Sequence, residues 1–465
     1  MAASYDVVVL GGGSGGYACA LRAAQLGLSV AMVEQDKVGG TCLHRGCIST
    51  KALLHAAEVA DAARDGARFG VHATIDKIDL AEIQEYANSV VNRLYSGLTG
   101  LVHAENITVV HGEGALVVAE DKAAVRVAGE DLSGSYVVLA SGSVPRTLPG
   151  VEVDGHRVIT SDHALTLEQL PGSALVLGGG VVGVEFASAW RSLSVDVTVV
   201  EAMPRLVPSE DPAISAALER AFRRRKIGMR TRSAVQSCQL SDHGVTVRLE
   251  DGMELTADVA LVAVGRGPRS DGLGYAETGV RLDGGLVTTD ERLRTSVPGI
   301  YAVGDLVAGA QLAHRGFAHG IFVAEDIAHH MQRFPSAPIP IKEADIPRVT
   351  YCDPEIAAVG LSEEAASNRF GDIETRSYDL AGNGKSQMLK TSGFVKIVRR
   401  QEGPVVGVHM IGSRVSELIG EAELITGWEA FPSDVASYIH AHPSQSEALG
   451  EVHLALAGKP LHTHS

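Results

Sequence analysis

Tyr5-Asp6-Val7-Val8-Val9-Leu10-Gly11-Gly12-Gly13-Ser14-Gly15-Gly16 is the stretch that decides the fold. Its first half is a continuous β-rich run, the pattern of a strand buried on both faces. A helical stretch, Tyr17–Leu26, follows and stops at Gly27, and a second strand, Ser29–Val33, ends in Glu34. Strand, glycine turn, helix and strand in this order form a mononucleotide-binding unit. Gly11 makes the tight turn, Gly13 lets a pyrophosphate approach the backbone, and Gly16 lets helix and strand pack closely. Glu34 stands twenty-three residues after Gly11, where a carboxylate can accept from a ribose hydroxyl.

The unit recurs 167 residues later. Ala174–Leu177 reads as a strand, Gly178, Gly180 and Gly183 repeat the turn, Val184–Ser192 reads as a helix, and Val195–Val200 leads into Glu201. A lone glycine triplet would be weak; strand, glycines, helix and acid at the same spacing twice are not a chance match. Glu201 suits the free 2′-hydroxyl of NAD and would repel the 2′-phosphate of NADP. Arg205 lies close by in sequence, and its role is open at this stage.

Between the two units runs Thr41-Cys42-Leu43-His44-Arg45-Gly46-Cys47-Ile48-Ser49-Thr50-Lys51-Ala52-Leu53. In an ideal helix, residues five apart are about 7.5 Å apart along the axis, beyond the roughly 4.4–6.8 Å that a disulfide spans. The pair can bridge only if Cys42 lies ahead of the helix and Gly46 bends the backbone. Cys47 then sits near a helix N-terminus, where the dipole favours a thiolate, and Lys51 adds positive charge one turn on. The competing reading is two unrelated buried cysteines. No second cysteine pair or histidine cluster of suitable spacing accompanies them, which speaks against a metal.

The composition sets the bounds. A chain of 465 residues allows two to four domains, and 52 glycines with only 5% aromatics suit α/β sheets with tight turns. A net charge of −16 argues against nucleic acid or an anionic membrane as partner. No run of eighteen apolar residues and no leader pattern occurs, so a soluble, cytoplasmic chain is expected. Five scattered cysteines do not make a secreted disulfide framework.

Residues 65–110 read as helical, with the clearest spacing over Leu80–Leu101. Strand Ser135–Ala140 exits into Ser141-Gly142-Ser143, and Pro145, Pro149 and Gly150 mark a linker. Leu261–Val264 exits similarly at Gly265. Ile300-Tyr301-Ala302-Val303-Gly304-Asp305 is a short strand delivering an acid to a turn; Asp305 could bind a polyol or simply cap a helix. Four prolines in 335–347 mark a boundary, beyond which strands (Arg348–Tyr351, Gly393–Arg399, Val405–Ile411) and helices (Ser416–Trp428, Ser444–Leu456) suggest an α+β domain. There His440-Ala441-His442-Pro443-Ser444-Gln445-Ser446-Glu447 offers a histidine base oriented by a carboxylate. The plainer alternative is that Ser444 is an N-cap and Glu447 completes its capping box.

Taken together, these residues resemble the flavoprotein disulfide reductases, and within them the dihydrolipoyl dehydrogenases. The resemblance runs the length of the chain: Gly11–Gly16 with Glu34, Gly39 to Lys51, His111–Gly114, Gly178–Glu185, Val199–Asp211, Thr295–Asp305, Leu312–His314 and His440–Glu447. It implies an α/β fold with two Rossmann-like dinucleotide-binding domains, for FAD and NAD, and a C-terminal α+β interface domain. The bounds are 1–149 (FAD, first part), 150–279 (NAD), 280–345 (FAD, second part) and 346–465 (interface). It implies a Cys42–Cys47 redox disulfide. His442, held by Glu447, would serve the cysteine pair of the other subunit of a homodimer. Thr41, Lys51, Gly114, Ser141, Gly142, Asp305 and Ala313 would contact FAD, and Glu185, Val235 and Gly265 would lie along the nicotinamide side. The implied reaction is oxidation of dihydrolipoamide with reduction of NAD. The implied partners are lipoyl domains of a 2-oxo acid dehydrogenase or glycine cleavage complex, with neither nucleic acid nor membrane involved. Two other readings remain: a sister reductase for another small disulfide, and a catalytically silent flavoprotein used for binding. The chain departs from the family pattern at His44 where Asn is usual, at Ser49-Thr50 where Pro-Ser is usual, at Ser141 where Thr is usual, and at His319, where a carboxylic residue is common.

Overall fold

The structure, a computed structural model, describes residues 4–119, 122–241 and 244–462. The Ser4–Leu10 strand lies inside a parallel array, paired to Val30–Glu34 on one side and to Glu130–Leu139 on the other. Its side chains alternate between two cores. Val7 and Val9 pack with Met32, Ala20, Ala23 and Phe322, and Val8 and Leu10 pack with Ala31, Val33, Leu116 and Leu139. This two-sided burial is why the strand reads as an unbroken apolar run. Thr108–His111 and Ile300–Ala302 extend the parallel array, and Lys122–Val127 and Gly114–Ala119 complete the sheet in antiparallel fashion.

The chain divides into two compact units. The first holds this sheet (Met1–Leu53, Ala81–Arg146, Arg266–Glu343), and the second comprises Leu54–Leu80, Thr147–Gly265 and Ala344–Ser465. The second unit has its own parallel sheet of five strands, with Ser173–Leu177 between Asp196–Val200 and Val259–Val262. It also holds a three-stranded antiparallel sheet (Val235–Ser241, Gly244–Leu249, Glu254–Ala257) and a five-stranded antiparallel sheet of residues 348–412. Helices Ile419–Gly427 and Glu447–Leu456 cover the last sheet through Ala422, Ala448, Leu449 and Val452.

Several expectations are corrected. The helical reading of 65–110 holds for Leu80–Ala104 alone; ahead of it a 3-10 turn, Gly66–Phe69, ends at Gly70 in a left-handed conformation (φ +81°), and residues 71–79 carry no helix. Thr108–His111, included in that helical reading, is a strand; its β-branched Thr-Val-Val core pairs with Val30–Glu34. The first dinucleotide helix starts at Ser14 and includes Gly15 and Gly16. The last helix starts at Glu447 with Ser446 as its cap position, so Ser444 is not the N-cap. Among the described residues no helix is long and apolar enough to cross a membrane, and no group of three or more His, Cys, Asp or Glu could hold a metal ion.

Candidate active site

The two glycine turns are built alike. A Cβ on Gly16 would fall 1.8 Å from Gly11 O, and one on Gly183 would fall 1.9 Å from Gly178 O. Only glycine permits the helix to start that close to the strand end. At Gly13 and Gly180, by contrast, an added Cβ would meet nothing within 4 Å, so internal packing does not account for these two glycines. Both helices begin without a side-chain cap and without an acid in the first turn. The first N–H groups of each helix therefore have no side-chain cap, and with the positive dipole end they form the arrangement that takes a diphosphate. Each turn thus fits a dinucleotide by its own geometry.

The acids are matched as well. Gly12 N–H donates to Glu34 Oε2 at 2.7 Å, and Asp36 N–H donates to Oε1 at 2.8 Å. Gly179 N–H donates to Glu201 Oε2 at 2.5 Å, and Met203 N–H donates to Oε1 at 2.7 Å. Two bonds use half of a carboxylate's acceptor positions, so each acid is fixed in direction and can still accept from a ribose. Arg205, whose role the sequence left open, donates through Nη2 to Pro208 O (2.8 Å) and Glu210 O (3.1 Å).

Cys42 belongs to a six-residue helix, Gly40–Arg45, and Cys47 is the first residue of the next, Cys47–Asp65. Gly46 makes the break at φ −147°, ψ −112°, so the bend falls where the spacing requires it. The short helix is held over the first glycine turn. Gly39 N–H donates to Gly12 O at 2.8 Å, and Gly40 lies so near that a Cβ would reach within 2.7 Å of Gly13 Cα. Both cysteines are partly buried. A hydrogen bond shared with Cys47, and then burial, hold the Cys42 pKa well above that of an ordinary thiol, while Lys51 pulls it down. Tyr17 is pushed up to about 12 by burial and then by Cys42 and Cys47, which places its ring beside the pair. Ser49 Oγ donates to His44 O at 3.3 Å, so the hydroxyl at this departure closes the end of the short helix. Thr41 lies in the same short helix.

On the same unit, Asp305 does not cap the Gly304–Leu306 turn. Its Oδ2 accepts from Ser143 Oγ at 2.6 Å, and Ser143 Oγ in turn accepts from Arg266 Nε at 2.8 Å. Ser141 Oγ donates to Arg269 O (2.6 Å) and accepts from Tyr275 OH (2.9 Å). Gly142 turns with φ +74°, Gly114 opens a strand, and Ala313 is the first residue of the Ala313–His330 helix. On the second unit, buried Glu185 accepts from Tyr351 N–H at 2.9 Å. Val235 opens a strand there, and Gly265 has φ +98°.

His442 Nδ1 lies 2.7 Å from Glu447 Oε1, and Glu447 Oε2 accepts from Ser444 N–H at 2.8 Å. The carboxylate therefore both orients the imidazole and holds the turn. Burial works to raise its pKa, but the Ser444 N–H and His442 bonds keep it below the usual range. Sequence reasoning missed that His440 has an acid of its own: its Nε2 lies 2.8 Å from Glu421 Oε1, which raises the His440 pKa. Nothing local could have signalled this partner, nineteen residues away on another helix. The two histidines differ in access, with side chains 78% exposed at His442 and 13% at His440.

Residues 5–320 match the pyridine nucleotide-disulphide oxidoreductase family, and residues 346–453 match its dimerisation domain. The dihydrolipoyl dehydrogenase of Bacillus subtilis (strain 168) is 38% identical, with 99% of this chain and 100% of that protein covered. The crystal structure of LpdA from Mycobacterium tuberculosis superposes with a TM-score of 0.89 at 28% identity, covering 97% of this chain and 99% of that one. The HOCl-induced flavoprotein disulfide reductase RclA from Escherichia coli gives 0.84 at 25% identity, covering 97% and 99%. Two glycine cradles with pinned acids, a cysteine pair over the first, and these full-length likenesses place the chain in the pyridine nucleotide-disulphide oxidoreductase family.

Proposed function

We propose that the chain is a dihydrolipoyl dehydrogenase that oxidises protein-bound dihydrolipoamide and reduces NAD. The observation that carries this reading is the Cys42–Cys47 pair, its thiols in contact and seated directly on the first glycine turn. In this reading FAD lies along Gly11, Gly13, Gly16 and Glu34, with Thr41, Lys51, Gly114, Ser141, Gly142, Asp305 and Ala313 completing its site. NAD lies along Gly178, Gly180, Gly183 and Glu201, with Glu185, Val235 and Gly265. The bound cofactors supply the two-electron transfer from thiolate to nicotinamide.

The protein's own residues carry the sulfur chemistry. His442, oriented by Glu447, takes the proton of one dihydrolipoyl thiol. The resulting thiolate attacks Cys42 of the oxidised pair; the Cys42–Cys47 bond breaks, a mixed disulfide forms, and Cys47 leaves as a thiolate. The second dihydrolipoyl sulfur then attacks the first, its proton passing to the departing Cys42, which closes the lipoyl disulfide and releases Cys42 as a thiol. The dimerisation domain supports a homodimer in which His442 of one copy serves the cysteines of the other. Residues 1–149 with 280–345, 150–279 and 346–465 would act as FAD, NAD and interface domains. Lipoyl domains of a 2-oxo acid dehydrogenase or glycine cleavage complex would be the partners, in the cytoplasm.

A sister reductase for another small disulfide is the second reading, in line with the likeness to the flavoprotein disulfide reductase RclA, whereas Ser49-Thr50 in the redox helix favours the catalytically silent reading. Steady-state assays of the FAD-loaded protein with dihydrolipoamide, against NAD and NADP, decide between them. Turnover with NAD is expected; no turnover with dihydrolipoamide, together with NADPH-driven reduction of another disulfide, would select the sister reductase.

A further inference from the structure

Gly304, the residue before Asp305, is gripped on both sides of its backbone. Its N–H donates to His319 Nδ1 at 3.3 Å, and its carbonyl accepts from Arg315 Nη1 at 3.1 Å. Both side chains come from one face of the Ala313–His330 helix, one turn apart, and each is about 1% exposed. Glu343 ties them together from outside the helix. Arg315 Nε donates to its Oε1 at 2.8 Å, and His319 Nε2 lies 3.7 Å from the same oxygen. Arg315 also donates through Nη2 to Ala308 O, so the guanidinium spans the turn from Gly304 to Ala308. Gly304 needs this support, because φ of +69° leaves a glycine with many alternatives. Asp305 is held from the other side through Ser143 and Arg266.

We propose that His319 is a positioning residue for the bound flavin: by accepting the Gly304 N–H it fixes the turn that presents Asp305 to the flavin's polyol chain. The inference rests on the proposed placement of FAD against Asp305. An imidazole can do this only while Nδ1 keeps its lone pair, which requires the neutral ring with its proton on Nε2, toward Glu343. Burial, and then the neighbouring Arg315, push the His319 pKa down to about 3, so the ring stays neutral throughout the working pH range. A carboxylate at 319 would bring a second negative charge against Glu343, whereas histidine supplies the acceptor without one.

The test is FAD binding to apoprotein, followed by fluorescence quenching, with thermal unfolding of the apoprotein as control. His319→Leu should weaken FAD about tenfold. His319→Asn, whose Oδ1 can stand where Nδ1 stands, should remain within about threefold of wild type. If the histidine acts through Asp305, the loss caused by His319→Leu should shrink to less than about twofold in an Asp305→Ala background. Equal losses for Leu and Asn, or a full tenfold loss in the Asp305→Ala background, would overturn the proposal. Should His319→Leu fail to fold, Glu343→Gln, on a half-exposed residue, is expected to weaken FAD about threefold, and an unchanged affinity refutes the network. Wild-type apoprotein that takes up no FAD would instead refute the functional reading. FAD binding that depends on Asp305 but not on His319 would refute this inference alone.

Discussion

Replacing His442 by Gln tests the assignment of the base. Loss of a general base typically costs 10²–10⁴-fold, or about 2.7–5.4 kcal/mol of barrier. Within its own chain the His442 side chain is mostly exposed, so the chain's fold has little packing to lose, and the deficit should fall on turnover and not on folding. Glu447→Gln should be milder. Both carboxylate oxygens are used, one by His442 and one by Ser444 N–H, and an amide can accept through only one of its two heteroatoms. Hydrogen bonds to charged groups contribute about 1.5–3 kcal/mol against about 0.5–1.5 for neutral ones. A difference of about 1–1.5 kcal/mol corresponds to roughly a five- to twelvefold loss. His440→Gln is the control: His440 also has a carboxylate partner but is largely enclosed, and its loss should lower stability while leaving kcat within about threefold. The assay is kcat for dihydrolipoamide oxidation in all three variants. FAD content and NADH oxidation by an artificial acceptor are measured alongside to show that the cofactor machinery is intact. If His440→Gln is the more damaging change to kcat with the dimer intact, the assignment is wrong.

The cysteines should divide their labour. Cys42→Ser is expected to abolish exchange with the lipoyl group, and Cys47→Ser should leave Cys42 able to attack the disulfide of oxidised lipoamide, forming a mixed disulfide and freeing the other lipoyl thiol, with no second cysteine to resolve it; mass spectrometry after treatment with oxidised lipoamide separates the two, and identical adducts would refute the assignment. Glu201 should favour NAD over NADP by more than tenfold in kcat/KM, because a 2′-phosphate beside a carboxylate costs on the order of 1–3 kcal/mol even when partly screened, and Arg205 is engaged with backbone carbonyls; equal kcat/KM would show that another cation compensates. Asp326 is fully buried and accepts from Arg292, Arg294 and Tyr301 OH. Burial works to raise its pKa, but these partners hold it below the usual carboxylate value. A depressed folded-state pKa means that its stabilisation is complete above about pH 4 and lost as pH falls through the folded value. Asp326→Asn should cost about 3–5 kcal/mol near neutral pH, and the gap to wild type in urea unfolding should narrow below pH 4; a gap independent of pH contradicts this account.

Much of the fold is legible in the sequence because its units are local. A strand buried on both faces, a glycine turn and a helix lie within thirty residues, and each leaves its own period or its own steric demand. The Val7–Leu10 run, Gly11 and Gly16, and their twins at Gly178 and Gly183 belong to this class. So does the His442–Glu447 pair, since Pro443 and the start of the helix bring residues five apart together. The cysteine spacing likewise required a bend, and Gly46 provides it.

The tertiary structure decided what local rules leave open. Thr108–His111 became a strand because the edge of Val30–Glu34 was available to pair with it. The last helix begins at Glu447, and its carboxylate divides itself between Ser444 N–H, the acid's half of a capping box, and His442. His440 found Glu421, Asp305 found Ser143 and Arg266, and His319 found the Gly304 amide. Each of these partners is distant in sequence or reached through a turn whose direction depends on packing. With 56 acidic and 18 histidine residues in the chain, residue type alone cannot select among so many pairings. Burial can, because a polar group removed from water must find a partner among the few groups that the packed elements bring within reach.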